Sequence, residues 1–401
     1  MDMSSFAHKS RPFPESELHR ESGRPPFECI ALLLQGGGAL GAYQGGVYQA
    51  LAEAHLDPDW VAGISIGAVN AALIAGNAPE TRIEKLREFW RRVARSNPWD
   101  GGALLDLLSW GVRGDFVRGL INQLSAGSVL VGGVPGFFAP RMPVAWLQPA
   151  GSPQATSYYD TAPLKSTLEE LIDFDRINSA EVRFSVGAVN VSSGNFVYFD
   201  NTSHVIGPEH VMASGALPPG FPAVEIEGEL YWDGGLVSNT PLQWVLDSEP
   251  RRDTLAFQVD LWSARGAVPR TMAEVATRQK EIQYSSRTRY SSDRDRHTQK
   301  LRNAVAGLLQ KLPAELHDHP DVALLRPLAG RRSYNLVQLI YRAKQYEGDS
   351  KDYEFSRLSM EEHWRAGYHD TVRTLRHPEV LKRPDNLEGV MTFDLAQNAR
   401  E

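Results

Sequence analysis

The sequence holds one cysteine, Cys29, in 401 residues, so no disulfide can close within the chain. A thiol-poor chain fits a reducing compartment. The first 27 residues, MDMSSFAHKSRPFPESELHRESGRPPF, lack the apolar core of a secretory signal and read as a disordered, cytoplasmic tail. A clean membrane span is also missing. The best candidate, Gly119 to Pro140, is free of charge, but five glycines, two prolines, Asn122 and Gln123 would break a helix in lipid. Cations are not in excess: 42 Lys and Arg stand against 49 Asp and Glu, a net charge of −7. That balance argues against nucleic acid as the partner. Internal repeats and low-complexity tracts are absent too. Nothing in the pattern calls for a metal or an organic cofactor.

Apolar residues make up 42% of the chain, enough for a sizeable core. Cys29 to Gln35 (CIALLLQ) is a continuous apolar run, the mark of a strand buried on both faces. A glycine cluster follows, then a helical stretch from Ala39 to about His55. Trp60 to Gly63 reads as a second strand and Ile66 to Ala75 as an apolar helix, stopped by Gly76, Asn77 and Pro79. Thr81 to Ala94 has the spacing of an amphipathic helix. This alternation predicts an α/β fold, a largely parallel sheet between helices. Later strands are expected at Val182–Val189 and Phe196–Phe199, joined by a hairpin, across Ile226–Trp232 as a strand pair split by Glu227-Gly228-Glu229, and at Thr254–Leu261. Past about residue 264 charge rises. Residues 271–312 predict one or two polar helices, Asn335–Arg342 a strand or a helix, and Ser359 with Glu362 the capping box of a last helix.

Gly36-Gly37-Gly38-Ala39-Leu40-Gly41 follows a strand and opens a helix, and so satisfies the G-x-G-x-x-G dinucleotide fingerprint. That fingerprint needs an acidic residue at the end of the second strand. Asp57 and Asp59 precede the strand instead, and its end carries Gly63-Ile64-Ser65-Ile66-Gly67. The other functional reading of the cluster is an oxyanion hole, since glycines let main-chain amides converge on one point. A plain tight turn that packs a helix on the sheet is the third.

Gly63-Ile64-Ser65-Ile66-Gly67 is G-x-S-x-G between a strand and a helix, the setting of a nucleophile elbow. A turn this sharp leaves no room for Cβ atoms two residues either side of the serine. The Ile66 amide can join the oxyanion hole. For the base, His204, His210 and the C-terminal histidines lie in polar contexts and read as solvated. Asp233 ends an apolar strand, Leu230-Tyr231-Trp232, and precedes Gly234 and Gly235. An Asp-Gly turn is the bland alternative.

GGGALG, GISIG and WDGG, in that order, resemble the patatin-like phospholipase family, and the resemblance runs from about Cys29 to Leu261. It includes Met212 to Pro222 (MASGALPPGFP), similar to the family's small-residue stretch before its aspartate. The resemblance implies a Ser–Asp dyad without histidine, Ser65 as nucleophile and Asp233 as base. It implies oxyanion donors at Gly36, Gly37, Gly38 and Ile66, with Gly41, Gly63, Gly67, Gly234 and Gly235 completing the motifs. Asn239-Thr240-Pro241-Leu242 looks like a helix cap. Many family members carry Arg or Lys where this chain has Leu40, which puts a preference for anionic head groups in doubt. The C-terminal third resembles a bacterial domain of unknown function.

The implied organisation is a tail at 1–27, an acyl-hydrolase domain at 28–263 and a mostly helical accessory region at 264–401. The implied activity is hydrolysis of lipid esters, with peripheral contact to a membrane. Residues 119–140 suit a lid or shallow insertion loop, or an insert packed on the core. Residues 271–312, with nine Lys and Arg against four Asp and Glu, suit a solvated or dimerising helix, or an anionic-membrane contact. Other acyl chemistry stays open (polyester depolymerase, thioesterase, acyltransferase), as does a non-catalytic lipid-binding module.

Overall fold

The structure is a computed structural model that describes residues 24–94, 125–286, 288–330, 332–343, 347–386 and 389–395; the side chains of 288–296 lie outside the description. Most of the expected tail, residues 1–23, is likewise outside. Residues 24–27 are placed: Phe27 is buried and Arg24 pairs with Asp59.

β1 (Cys29–Leu34) is the central strand, and all six of its residues are buried. It pairs in parallel with β2 (Trp60–Gly63) on one edge and β9 (Thr254–Asp260) on the other. Being covered on both faces explains its unbroken apolar run. Ile30, Leu32 and Leu34 join the larger core, with the helices Ala42–Glu53, Ile66–Ala75 and Arg82–Val93. Cys29, Ala31 and Leu33 point the opposite way, against Leu242 and Val245 of the Leu242–Asp247 helix. The fold is thus a sheet between helical layers.

Among the described residues the main sheet has nine strands, β7 (Val224–Ile226) lying at one end of its order, and β3 (Ala139–Pro140) pairs with β4 (Tyr159–Asp160) apart from it. Beyond β9 it continues in parallel through β10 (Tyr334–Ile340) to β11 (Val390–Phe393). Asn335–Arg342, open between strand and helix in the sequence, is therefore mostly strand, and the sheet runs across residues 263 and 264. The other C-terminal elements are mostly helical, including Met272–Tyr284, Thr288–Leu309 and Arg357–Leu375. The last of these packs on Ala42–Glu53, where its Trp364 covers Gly45 and Gly46. Its cap is Ser356, whose side chain accepts from the Ser359 amide, so the N-terminus lies three residues before the capping box expected at Ser359.

The other side of the sheet positions the site. β5 (Arg183–Asn190) pairs in parallel with β2 through residues 183–186. β6 (Phe196–Asp200) runs antiparallel along the far edge of β5. β8 (Glu229–Asp233) pairs antiparallel with residues 188–190, on the same edge as β2 and just beyond its end. Gly63 faces Val186 while Asp233 faces Ala188. The last residue of β8 therefore arrives where the chain leaving β2 turns through Ser65.

Candidate active site

Ser65 lies between β2 and the Ile66–Ala75 helix with φ 55° and ψ −124°. A non-glycine residue rarely takes such a conformation, and strain of this kind gathers at functional positions. The two glycines are required by contact. A Cβ on Gly63 would stand 2.2 Å from the Gly67 carbonyl oxygen, and one on Gly67 would stand 2.2 Å from the Leu34 carbonyl oxygen. The Ser65 amide donates to the Ser214 carbonyl at 3.1 Å and to its hydroxyl oxygen at 3.0 Å. Ser214 in turn donates to the Gly187 carbonyl at 2.7 Å.

Asp233 is 3% exposed. Its amide donates to the Ala216 carbonyl at 3.0 Å, and its Oδ1 accepts from the Gly235 amide at 2.7 Å. Burial pushes its carboxyl up to about 6, against the opposing pull of hydrogen bonding from the Ser65 hydroxyl and the Gly235 amide. Ser65 and Asp233, distant in sequence, are thus partners in space. The Met212–Pro222 stretch braces both, through Ser214 and Ala216. Its composition singled it out; its bracing role was not legible.

The glycine cluster borders the same cavity. Among the described residues no acceptor takes the amides of Gly37, Gly38 or Ile66, and all three residues line the cavity. Gly36, expected among the donors, is committed elsewhere. Its amide donates to Asn239 Oδ1 at 3.2 Å, and its carbonyl accepts from Asn239 Nδ2 at 3.1 Å and from Trp262 Nε1 at 3.0 Å. Asn239 is accordingly a clamp on the glycine loop. The helix it was expected to cap begins at Leu242 and has Pro241 at its cap, with no side-chain bond.

Behind the loop stands a polar network that the sequence did not announce. Gln35 accepts the amides of Leu261 and Trp262 through Oε1, at 2.6 and 3.0 Å, and its carbonyl accepts from Gln44 at 2.7 Å. Asn70 donates to Gln44 Oε1 at 2.8 Å and accepts from Trp90 Nε1 at 3.0 Å. All four side chains are buried and paired, which fixes the loop without leaving a polar cost.

Two histidine expectations are corrected. His210 is buried, its Nδ1 accepting from the Gly207 amide at 3.0 Å, and burial holds its pKa below the ordinary value. His363 is buried beside Glu347. No histidine lines the cavity among the described residues. Nor does any group of three or more His, Cys, Asp or Glu there have the arrangement of a metal site.

The cavity holds about 320 Å³ and is walled mainly by apolar side chains. Phe137 and Phe138 pack with Phe221 at ring distances of 5.9 and 5.1 Å, and Phe137 lies 5.9 Å from Phe355. The stretch 119–140 therefore has its two phenylalanines in the cavity wall; its first residues, 119–124, lie outside the description. Other apolar residues of this stretch and just after it face solvent. Val131 is 81% exposed, Met142 85%, Trp146 82% and Leu147 75%. Between Gly119 and Tyr159 the only charged residue is Arg141, which is turned inward onto Ser157.

Residues 32–246 match the sequence profile of the patatin-like phospholipases. The chain belongs to the patatin-like phospholipase family. Residues 282–387 match a second profile, described as patatin phospholipase. Among solved structures the chain resembles VipD from Legionella pneumophila, with 13% identity over 92% of this chain and 72% of that one, at a TM-score of 0.34. It also resembles full-length ExoU, solved with SpcU, from the type III secretion system of Pseudomonas aeruginosa. There the identity is 19% over 65% of this chain and 50% of that one, at a TM-score of 0.24. No curated protein sequence matches it.

Proposed function

We propose that this chain is a serine acyl-hydrolase acting on lipid esters through a Ser65–Asp233 dyad. The observation that carries the reading is a buried carboxyl, raised to about 6, facing a strained serine in the lining of an apolar cavity. The Ser65 hydroxyl attacks the ester carbonyl carbon and its proton passes to Asp233. The oxyanion receives the amides of Gly37, Gly38 and Ile66. The C–O bond to the alcohol then breaks, and the alcohol leaves with the proton from Asp233. Water next attacks the acyl-serine, Asp233 taking its proton and returning it to Ser65, and the free acid departs.

A free aspartate titrates near 4 and is a weak base for a hydroxyl. Burial narrows that gap, and the glycine amides stabilise charge as the proton moves. The cavity takes the acyl chain. The exposed side chains of Val131, Met142, Trp146 and Leu147, on the same stretch of chain as the wall residues Phe137 and Phe138, give a peripheral contact with a lipid surface, where an apolar segment bearing Trp sits at the boundary between head groups and chains. Among the described residues no helix is long and apolar enough to cross a membrane. The test is Ser65→Ala, assayed on a short p-nitrophenyl ester. It should lose about three orders of magnitude in kcat while keeping its fold. Full activity would sink the reading.

A further inference from the structure

The glycine loop is held by residues far along the chain. The Asp352 carbonyl accepts the Ala39 amide at 2.8 Å. Gly38 beside it has φ +55°, and a Cβ there would stand 2.1 Å from that same carbonyl oxygen. Asp352 is itself secured. Lys280 Nζ donates to Asp352 Oδ1 and Oδ2 at 3.1 and 3.3 Å and to the Asp349 carbonyl at 3.0 Å. It also lies 5.0 Å from the centre of the Tyr353 ring. Lys280 belongs to the helix Met272–Tyr284, whose final residue makes a second attachment. A carbonyl in the last turn of a helix has no partner within it. The Tyr284 carbonyl takes Asn239 Nδ2 at 2.8 Å and Gln35 Nε2 at 3.1 Å. Asn239 grips both polar groups of Gly36. One helix thus secures the loop at both ends, at Gly36 through Asn239 and at Gly38–Ala39 through Asp352.

We propose that the helix Met272–Tyr284 sets the geometry of the oxyanion loop, with Lys280 as its positioning residue. The inference rests on the Ser65–Asp233 reading above. Lys280 touches no reacting atom. It fixes Asp352, which fixes the Gly38–Ala39 peptide, which aims the free amides of Gly37 and Gly38. Such donors work at 2.7–3.1 Å from the developing oxyanion, so a displacement of about 1 Å costs rate while leaving substrate affinity largely intact. Both ends of the chain of contacts must be present for the amides to point correctly. The C-terminal region is then part of the catalytic unit, not an appendage to it.

The test uses the full chain and p-nitrophenyl butyrate. Lys280→Met should lower kcat by about tenfold or more, with KM changed by less than about twofold. Lys280→Arg should restore most of kcat. Asp352→Asn keeps the carbonyl that holds Ala39 but loses the ion pair, and should show the same fall. Because the two act in series, the double variant should lose no more than either single. If Lys280→Met does not fold, Asp352→Asn with Lys280→Arg carries the test. An unchanged kcat in Lys280→Met or Asp352→Asn, or losses that add in the double variant, overturns the inference. Ser65→Ala in the same assay separates the two readings. If it is inactive while Lys280→Met is normal, only the positioning role falls. If it stays active, the dyad falls first.

Discussion

Asp233 ends β8 and Asp260 ends β9; both are buried, and burial pushes both carboxyls up to about 6. Their neighbours separate them. Asp233 faces Ser65 and borders a 320 Å³ cavity. Asp260 accepts two hydrogen bonds from Gln258, at 3.0 and 2.8 Å, and one from Ser286 at 2.8 Å. Each has a serine, yet only Ser65 has the elbow conformation and lines the cavity with the glycine amides. A raised carboxyl at a strand end is therefore not a site in itself. On the function proposed above, what makes one is a reactive partner, free main-chain amides and room for substrate.

The comparison breaks most sharply under matched substitutions. Asp233→Asn should lower kcat on a short ester by roughly three to four orders of magnitude, close to the loss in Ser65→Ala, because the two groups act as a unit. Asp260→Asn and Ser286→Ala should stay within about threefold of wild type, a local perturbation away from the reacting groups. Comparable losses from both aspartates would erase the distinction.

A pH profile sharpens it. A base must be ionised to act, so kcat/KM should rise with pH through about 6 and level off above it. Asp260→Asn should keep that limb in place. A limb that moves with Asp260 would assign it to the wrong carboxyl.

Access is the next difference, since Asp233 lines the cavity and Asp260 does not. Trp146→Ser with Leu147→Ser should reduce hydrolysis of an aggregated lipid ester by about tenfold and leave a soluble ester unaffected, as expected of a surface contact built on buried apolar area. Phe137→Ser, in the wall, should weaken both. Equal losses from the Trp146 and Leu147 double variant on both substrates would argue that these two residues are structural.

Stability gives the smallest effect. An unfolded aspartate ionises near 4 and folded Asp233 near 6, so between those values the folded state binds more protons and stability falls as pH rises. Asp233→Asn removes that slope. Its melting temperature should exceed wild type by a few degrees at pH 8 and match it at pH 4. A variant less stable than wild type at pH 8 would contradict a burial-strained carboxylate.

The elbow was legible because the clash that demands Gly63 and Gly67 is local and any sequence with that turn must answer it. The central sheet was legible because strands covered on both faces read as apolar runs, as in CIALLL. Residues 334–340 stayed ambiguous since a short buried apolar run fits either structure; its neighbours β9 and β11 settle it as strand. Lys280 and Asp352 were not legible at all. Each sits in a charged stretch, where a single charge reads as solvent-facing, and only the fold brings them to Ala39. His210 and His363 misled in the same way, polar neighbours in sequence standing in for surroundings that are buried in space. Gly36 shows the limit of a motif, which names a residue without saying where its amide goes.

The most direct test of the dyad is the rate of covalent labelling by a fluorophosphonate, followed by intact mass and peptide mapping from pH 4 to 9. The account predicts a single adduct on Ser65, forming faster as pH rises through about 6, and nearly abolished in Asp233→Asn but not in Asp260→Asn. An adduct on another residue, or labelling of Ser65 that proceeds at the wild-type rate without Asp233, would contradict it.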